Sequence, residues 1–124
     1  VEAHRLAYRS GGHAPILVYR AHTDTVEVLP ATGPPLGILH ELPPQHDAAL
    51  ALMPGDTVLL VTDGYHEWED ADEQPFGIDR LVDLLRVHHA EGASPLLARL
   101  DAALADFGGR QGDDLTAVVI RRVD

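Results

Sequence analysis

Thr57-Val58-Leu59-Leu60-Val61-Thr62-Asp63-Gly64 is the stretch on which the reading of this chain turns. Its first six residues are apolar or β-branched without a break, the pattern of a strand covered on both faces. A second run of this kind, Leu115-Thr116-Ala117-Val118-Val119-Ile120, lies far downstream. Aspartates mark one end of each, Asp63 after the first run and Asp113-Asp114 before the second. If the two runs are antiparallel neighbours, the end of one lies beside the start of the other, and Asp63 and Asp113 converge on one sheet edge. Gly64 lets a further group approach the backbone closely there. Converging carboxylates repel unless a cation sits between them, and hard divalent ions such as Mg²⁺ or Mn²⁺ prefer oxygen ligands. Asp-Gly after a strand is also a common turn, and Asp-Asp before one can act as a cap. Spacing alone leaves both readings open.

Outward from this pair, Leu6-Ala7-Tyr8-Arg9 and Ile16-Leu17-Val18-Tyr19-Arg20 read as strands around a glycine turn, which predicts a hairpin between them. Thr25-Val26-Glu27-Val28-Leu29 alternates as a half-buried strand does. Pro30 to Gly37 is a loop leading into a short strand, Leu36-Gly37-Ile38-Leu39. His46 to Leu52 fits either helix or edge strand, and Met53-Pro54-Gly55-Asp56 is a turn. Two helices are predicted next. Ile78, Leu81, Val82 and Leu85 set the apolar face of the first, from about Phe76 to His89. Leu96, Leu97, Leu100, Leu104 and Phe107 form the stripe of the second, with Ser94 as N-cap, Pro95 at the first helical position and Gly108-Gly109 as the stop. Strands, two helices and a final strand make the class α+β.

The chain has 124 residues, 45% of them hydrophobic, with 9 basic and 20 acidic side chains, a formal charge of −11 and no cysteine. That length suits one domain, and the apolar content excludes a disordered tail. Disulfide scaffolds, thiolate zinc sites and cysteine nucleophiles are excluded together. Every basic side chain is arginine, and none are clustered as phosphate binding requires, so nucleic acid is not an expected partner. No run approaches the ~18 apolar residues of a membrane span, and no basic-plus-apolar leader opens the chain; the expectation is a cytoplasmic protein off the membrane. Val1-Glu2-Ala3-His4 has no initiator Met and runs straight into a strand pattern, which suggests a piece of a longer chain.

Other residues attract weaker readings. Gly12-His13 fits a turn whose histidine bonds backbone better than it fits a catalytic histidine. His88-His89 reads as a helix C-terminal cap, and His40 and His46 as loop residues. Glu67 to Glu73 is a solvated acidic loop whose place beside Asp63 suits regulation. Trp68 within it is either a packing anchor or a partner contact.

Taken in order, Tyr8-Arg9-Ser10-Gly11-Gly12-His13-Ala14-Pro15, Pro35-Leu36-Gly37, Pro54-Gly55-Asp56, Leu59-Leu60-Val61-Thr62-Asp63-Gly64 with Glu67, Phe76-Gly77 with Leu81, and Gln111-Gly112-Asp113-Asp114-Leu115-Thr116 carry a resemblance. The chain resembles the SpoIIE-type branch of the metal-dependent, protein phosphatase 2C-like serine/threonine phosphatases. The resemblance implies an antiparallel β-sandwich flanked by helices in α-β-β-α layers, of which residues 1–124 form the C-terminal portion. It implies that Asp63 and Asp113 match the family's metal aspartates, with Gly64 and Asp114 beside them in the candidate ligand set. It further implies Mn²⁺ or Mg²⁺ as cofactor, two ions in the intact domain, acting by two-metal hydrolysis without a covalent enzyme intermediate. The implied substrate is a phosphorylated regulatory protein such as an anti-sigma-factor antagonist, with sensor or regulatory domains upstream.

One departure stands out. The family's bridging aspartate belongs to an earlier strand segment, and nothing before Tyr8 matches it. The chain alone is therefore expected to turn over little or no substrate, and its open sheet edges favour a homodimer. Two alternatives stand beside the phosphatase: a catalytically inactive phosphatase-like module that binds a partner, and an unrelated acidic α+β domain with two aspartate turns.

Overall fold

The unbroken apolar run at Thr57 becomes the central strand of a four-stranded antiparallel sheet. In the computed structural model, which describes residues 4–13, 15–44 and 46–124, the strands are β1 (Arg5–Tyr8), β2 (Ile16–Arg20), β3 (Thr25–Leu29), β4 (Ala48–Ala51), β5 (Thr57–Val61) and β6 (Ala117–Arg121). The main sheet runs in the order β3-β2-β5-β6, and β1 pairs with β4 in a second, two-stranded sheet. Three α-helices accompany them: α1 (Asp63–His66), α2 (Gly77–His88) and α3 (Ala93–Phe107), with a 3-10 turn at His89–Glu91 joining the last two. The lead-in Val1-Glu2-Ala3, and Ala14 of the glycine turn, lie outside the described residues.

Alternation along the strands sorts the core into two layers. Leu17, Tyr19, Leu59 and Val61 face the helices and pack with Leu81, Leu85, Leu96, Leu100 and Leu104. Ile16, Val18 and Val58 face the other way, onto Leu50 and Leu52 of the second sheet, with Leu6 and Tyr8 beside them. The described layers are thus helices, main sheet and second sheet. β2 and β5 are buried on both faces, as the apolar run predicts for β5. β6 is not: Val118 and Ile120, on the face away from the helices, are 48% and 37% exposed.

Three local expectations need correction. β1 does not form a hairpin with β2; it pairs with β4, Leu6 opposite Leu50 and Tyr8 opposite Ala48. β2 takes β3 and β5 as its neighbours, and both its edges are then filled. This pairing also settles His46 to Leu52 as an edge strand rather than a helix. Leu36-Gly37-Ile38-Leu39 is not a strand. It forms turns and bends with Leu36 76% and Ile38 69% exposed, so no neighbouring strand supplies the partners a ladder needs. The α3 helix begins at Ala93 with Gly92 as its N-cap, and Ser94 sits inside the first turn without a capping bond. Its stop at Gly108, whose N–H bonds the Leu104 carbonyl at 3.2 Å, is as predicted.

At the start of β5, the Met53-Pro54-Gly55-Asp56 turn does more than reverse the chain. Asp56 is fully buried. Its carboxylate accepts the Ala21 amide at 2.9 Å, the Met53 amide at 3.0 Å and Arg20 Nη1 at 3.1 Å. Arg20 also holds Glu27 through two bonds of 2.9 and 3.0 Å and the Ala51 carbonyl at 2.7 Å. Burial, the largest single influence, pushes the Asp56 carboxyl up; the two amides and the guanidinium outweigh it and hold it below the ordinary carboxylate range. Near the hairpin of β2 and β3, Tyr19 stacks on His89 with ring centres 3.9 Å apart, and Arg86 pairs with Asp24 at 2.7 Å. These contacts fasten the C-terminal end of α2 to the sheet.

Candidate functional site

The candidate residues sit at the opposite end of β5, where its pairing with β6 runs out. The two strands are antiparallel, Val61 opposite Ala117 and Thr57 opposite Arg121. The residues that follow β5 therefore meet those that precede β6. The ladder continues one step through the Thr62 amide, which donates to the Thr116 carbonyl at 3.0 Å. The Thr62 hydroxyl then spans the gap: it donates to the Asp114 carbonyl at 3.0 Å and accepts the Thr116 amide at 3.0 Å. Gly64 is packed so closely that a Cβ there would stand 2.6 Å from the Asp114 carbonyl oxygen. Any larger residue at 64 would push the Asp114 segment away.

Asp63 opens the single-turn helix α1, and its Oδ1 accepts the Gly64 amide at 3.1 Å. Asp113 behaves in the same way, Oδ1 accepting the Asp114 amide at 2.7 Å. Both aspartates, and Asp114, are exposed. The carboxylates are thus held by their own loops and turned to water rather than tied into the core. Gln111 Nε2 supports the approach by donating to the Asp113 carbonyl at 3.0 Å. The α1 helix itself is anchored through Tyr65, which is buried and donates its hydroxyl to Asp101 Oδ1 in α3 at 3.2 Å. Burial, then the Asp101 charge, push the Tyr65 hydroxyl up to about 12, so it stays protonated at neutral pH.

Chemically, this edge offers hard oxygen donors with no lysine in the chain to compete for them. Among the described residues no group of three or more His, Asp or Glu side chains is gathered so as to hold a metal. A hexahydrated-type ion such as Mg²⁺ commonly uses one or two carboxylates and keeps several waters, so a pair of aspartates suits it in kind, with the remaining positions open. Backbone pairing brings residues 62–64 and 114–116 together, with Asp113 one residue beyond.

Next to this edge, the acidic loop after α1 folds back on the loop after α3. Trp68 Nε1 donates to the Gly108 carbonyl at 2.6 Å, and the Trp68 carbonyl accepts the Phe76 amide at 2.7 Å. Trp68 is therefore a packing anchor, one of the two roles its sequence context left open. A cavity of about 500 Å³ lies between the loops, with Glu67, Glu69, Asp70 and Glu73 on one wall and Gly109 and Arg110 on the other. Asp63 and Asp113 do not line it.

His88 and His89 stand apart from this edge. His88 Nδ1 meets Glu91 at 2.7 Å and His89 Nδ1 donates to the Arg86 carbonyl at 2.7 Å, which caps α2 as its position predicts. Gly12 donates to the Gly33 carbonyl at 2.8 Å, and a Cβ at residue 12 would run into Pro35. This turn is locked onto the Pro34-Pro35 loop. Thr62 was not a sequence candidate. A threonine ending a β-branched strand carries no local sign that its hydroxyl will bridge two chain segments.

Known proteins share this fold. The family model described as stage II sporulation protein E (SpoIIE) matches residues 1–123. No curated protein matches the sequence. Among solved structures, the SiaA-PP2C domain of Pseudomonas aeruginosa superposes with a TM-score of 0.74 at 26% identity, over 94% of this chain and 46% of that one. The PP2C phosphatase domain of SpoIIE from Bacillus subtilis, solved with a fragment of its regulatory domain, gives 0.77 at 20% identity, over 94% and 34%. A structure of RsbU and RsbW domains from Mycobacterium tuberculosis gives 0.72 at 22% identity, over 98% and 33%. The chain thus spans about a third to a half of the length of these structures. Their fold is the PP2C-like one, and the layers described above are part of it.

Proposed function

Because the chain belongs to the SpoIIE family, we propose that it is the C-terminal portion of a metal-dependent phosphoprotein phosphatase domain. In this reading the domain hydrolyses phosphoserine or phosphothreonine on a regulatory protein, of which an anti-sigma-factor antagonist is the expected kind. The observation that supports it most directly is the Thr62 bridge, which sets Asp63-Gly64 against Asp114 at one sheet edge. Asp63, Asp113 and Asp114, with the Gly64 backbone, would hold Mn²⁺ or Mg²⁺ there. Bound divalent ions would lower the pKa of water and neutralise charge developing on the phosphoryl oxygens.

The chain's own residues would serve that chemistry by position. Antiparallel pairing fixes Asp63 to a rigid sheet, Tyr65 fixes α1 to α3, and the absence of a side chain at Gly64 permits the close approach of Asp114. No cysteine is available as a nucleophile. The chain has no helix, among the described residues, long and apolar enough to cross a membrane.

Mn²⁺-dependent phosphate release from a phosphoserine peptide tests this reading on the protein containing this chain. Activity lost in both Asp63→Asn and Asp113→Asn supports it. Mn²⁺ binding that survives the two substitutions together removes the proposed site. A phosphatase-like partner-binding module without turnover is the second reading, favoured by the lack of a three-carboxylate cluster among the described residues. Specific Mn²⁺ binding with no release of phosphate from any phosphopeptide would select it.

A further inference from the structure

We propose that Trp68 is a positioning residue for the Asp63–Asp113 edge, acting as a latch between the loop that follows α1 and the loop that leads to Asp113. The inference rests on the metal-site reading above and adds to it a residue outside the candidate ligands. Trp68 follows α1, so it is one short helix away from Asp63. Its main chain is fixed to the start of α2 through the Phe76 amide, and its ring packs against the helical core. From this fixed base the indole N–H reaches Gly108.

The next residue on each loop repeats the contact. Gly109 has φ +83°, and a Cβ there would run into the Glu69 carbonyl. Two successive residues of one loop, Trp68 and Glu69, thus lie against two successive residues of the other. Beyond Gly109, only Arg110-Gln111-Gly112 separate the latch from Asp113. On its far side Asp113 is followed by Asp114, whose carbonyl the Thr62 hydroxyl holds. The Asp113 segment is therefore anchored at both ends, by Trp68 before it and by Thr62 after it.

Releasing one anchor leaves an exposed, glycine-containing segment tethered at one end only. Ordering that segment then falls on the ion when it binds, and affinity drops by the entropy regained in the free state. Trp68 and Gly109 would touch neither ion nor substrate. Their role is to hold Asp113 where Asp63 can share a ligand with it.

The test combines calorimetric Mn²⁺ titration with amide hydrogen exchange in the protein, using Trp68→Phe and Gly109→Ala. The first removes the N–H donor together with the five-membered ring that carries it, and the second drives a methyl group between the loops. Each is expected to weaken Mn²⁺ binding by about tenfold, as loss of one well-placed hydrogen bond does. Exchange should accelerate at Gln111 to Thr116 while the β5 amides stay protected. A core control, Leu85→Ala, lowers the melting temperature yet should leave the Mn²⁺ affinity in place, which separates positioning from general stability. Variants that bind Mn²⁺ as the unsubstituted protein does overturn the latch and leave the metal site standing. Mn²⁺ binding indifferent to Asp63→Asn and Asp113→Asn overturns the site, and the role of the latch with it.

Discussion

β5 is flanked by an aspartate at each end, and the fold treats the two in opposite ways. Asp56, before the strand, is fully buried, and its carboxylate accepts three hydrogen bonds, one of them from Arg20. Asp63, after it, is exposed, and its carboxylate accepts a bond only from the neighbouring Gly64 amide among the described contacts. A carboxylate whose lone pairs the protein has already filled is part of the framework. One left open to water keeps its lone pairs for something else. Burial and bonding, not residue type, separate the structural aspartate from the candidate ligand.

The largest break in this contrast should come from Asp56→Ala. It empties a buried position, takes the acceptor from the Ala21 and Met53 amides and leaves Arg20 with Glu27 as its remaining carboxylate, and is expected to cost about 3–5 kcal/mol in chemical denaturation. Asp63→Ala, by contrast, should stay within about 0.5 kcal/mol of the parent. An equal loss at both ends would show that the contrast is wrong. Acid titration sharpens the same point. The Asp56 carboxyl lies below its unfolded value, so its contribution is present above the ordinary carboxylate range. That contribution is lost as pH falls through this range toward the lowered folded value. Replacing Asp56 by Asn should flatten this part of the stability profile, followed by circular dichroism; replacing Asp63 by Asn should not.

Smaller effects test the anchors of the open end. Thr62→Val removes a hydroxyl that serves two partners and should cost about 1–2 kcal/mol, with faster exchange at the Thr116 amide. Tyr65→Phe should cost about 0.5–1.5 kcal/mol through its bond to Asp101. Tyr65 also has an alkaline signature. Its hydroxyl is raised to about 12 in the fold, against ~10 unfolded. Its share of stability is complete below the unfolded value and is lost as pH rises through the folded one. The phenylalanine variant should lack that loss.

The same contrast explains how far the sequence could be read. β5, β6 and the two long helices follow from runs and periods that local sequence states directly, and Gly108 ends α3 where its position requires. The meeting of Asp63 with the Asp114 segment follows once β5 and β6 are taken as antiparallel neighbours. The pairing of β1 with β4 does not, because Leu6 and Leu50 belong to distant segments and neither announces the other. Leu36 to Leu39 has strand-like composition but no partner, and composition cannot distinguish the two. Asp56 reads as a turn residue because its burial depends on Arg20 and Ala21, which the fold brings in from another strand. Trp68 stays ambiguous until the Gly108 carbonyl is seen at its indole N–H.

Trp68 is the only tryptophan in this chain, and its indole nitrogen is bonded to the loop that leads to Asp113. Its emission colour is therefore an intrinsic optical gauge of whether those two loops are closed. Opening them exposes the indole to water and shifts the spectrum to the red, with no dye attached. A change at the aspartate edge could then be followed in real time by stopped flow.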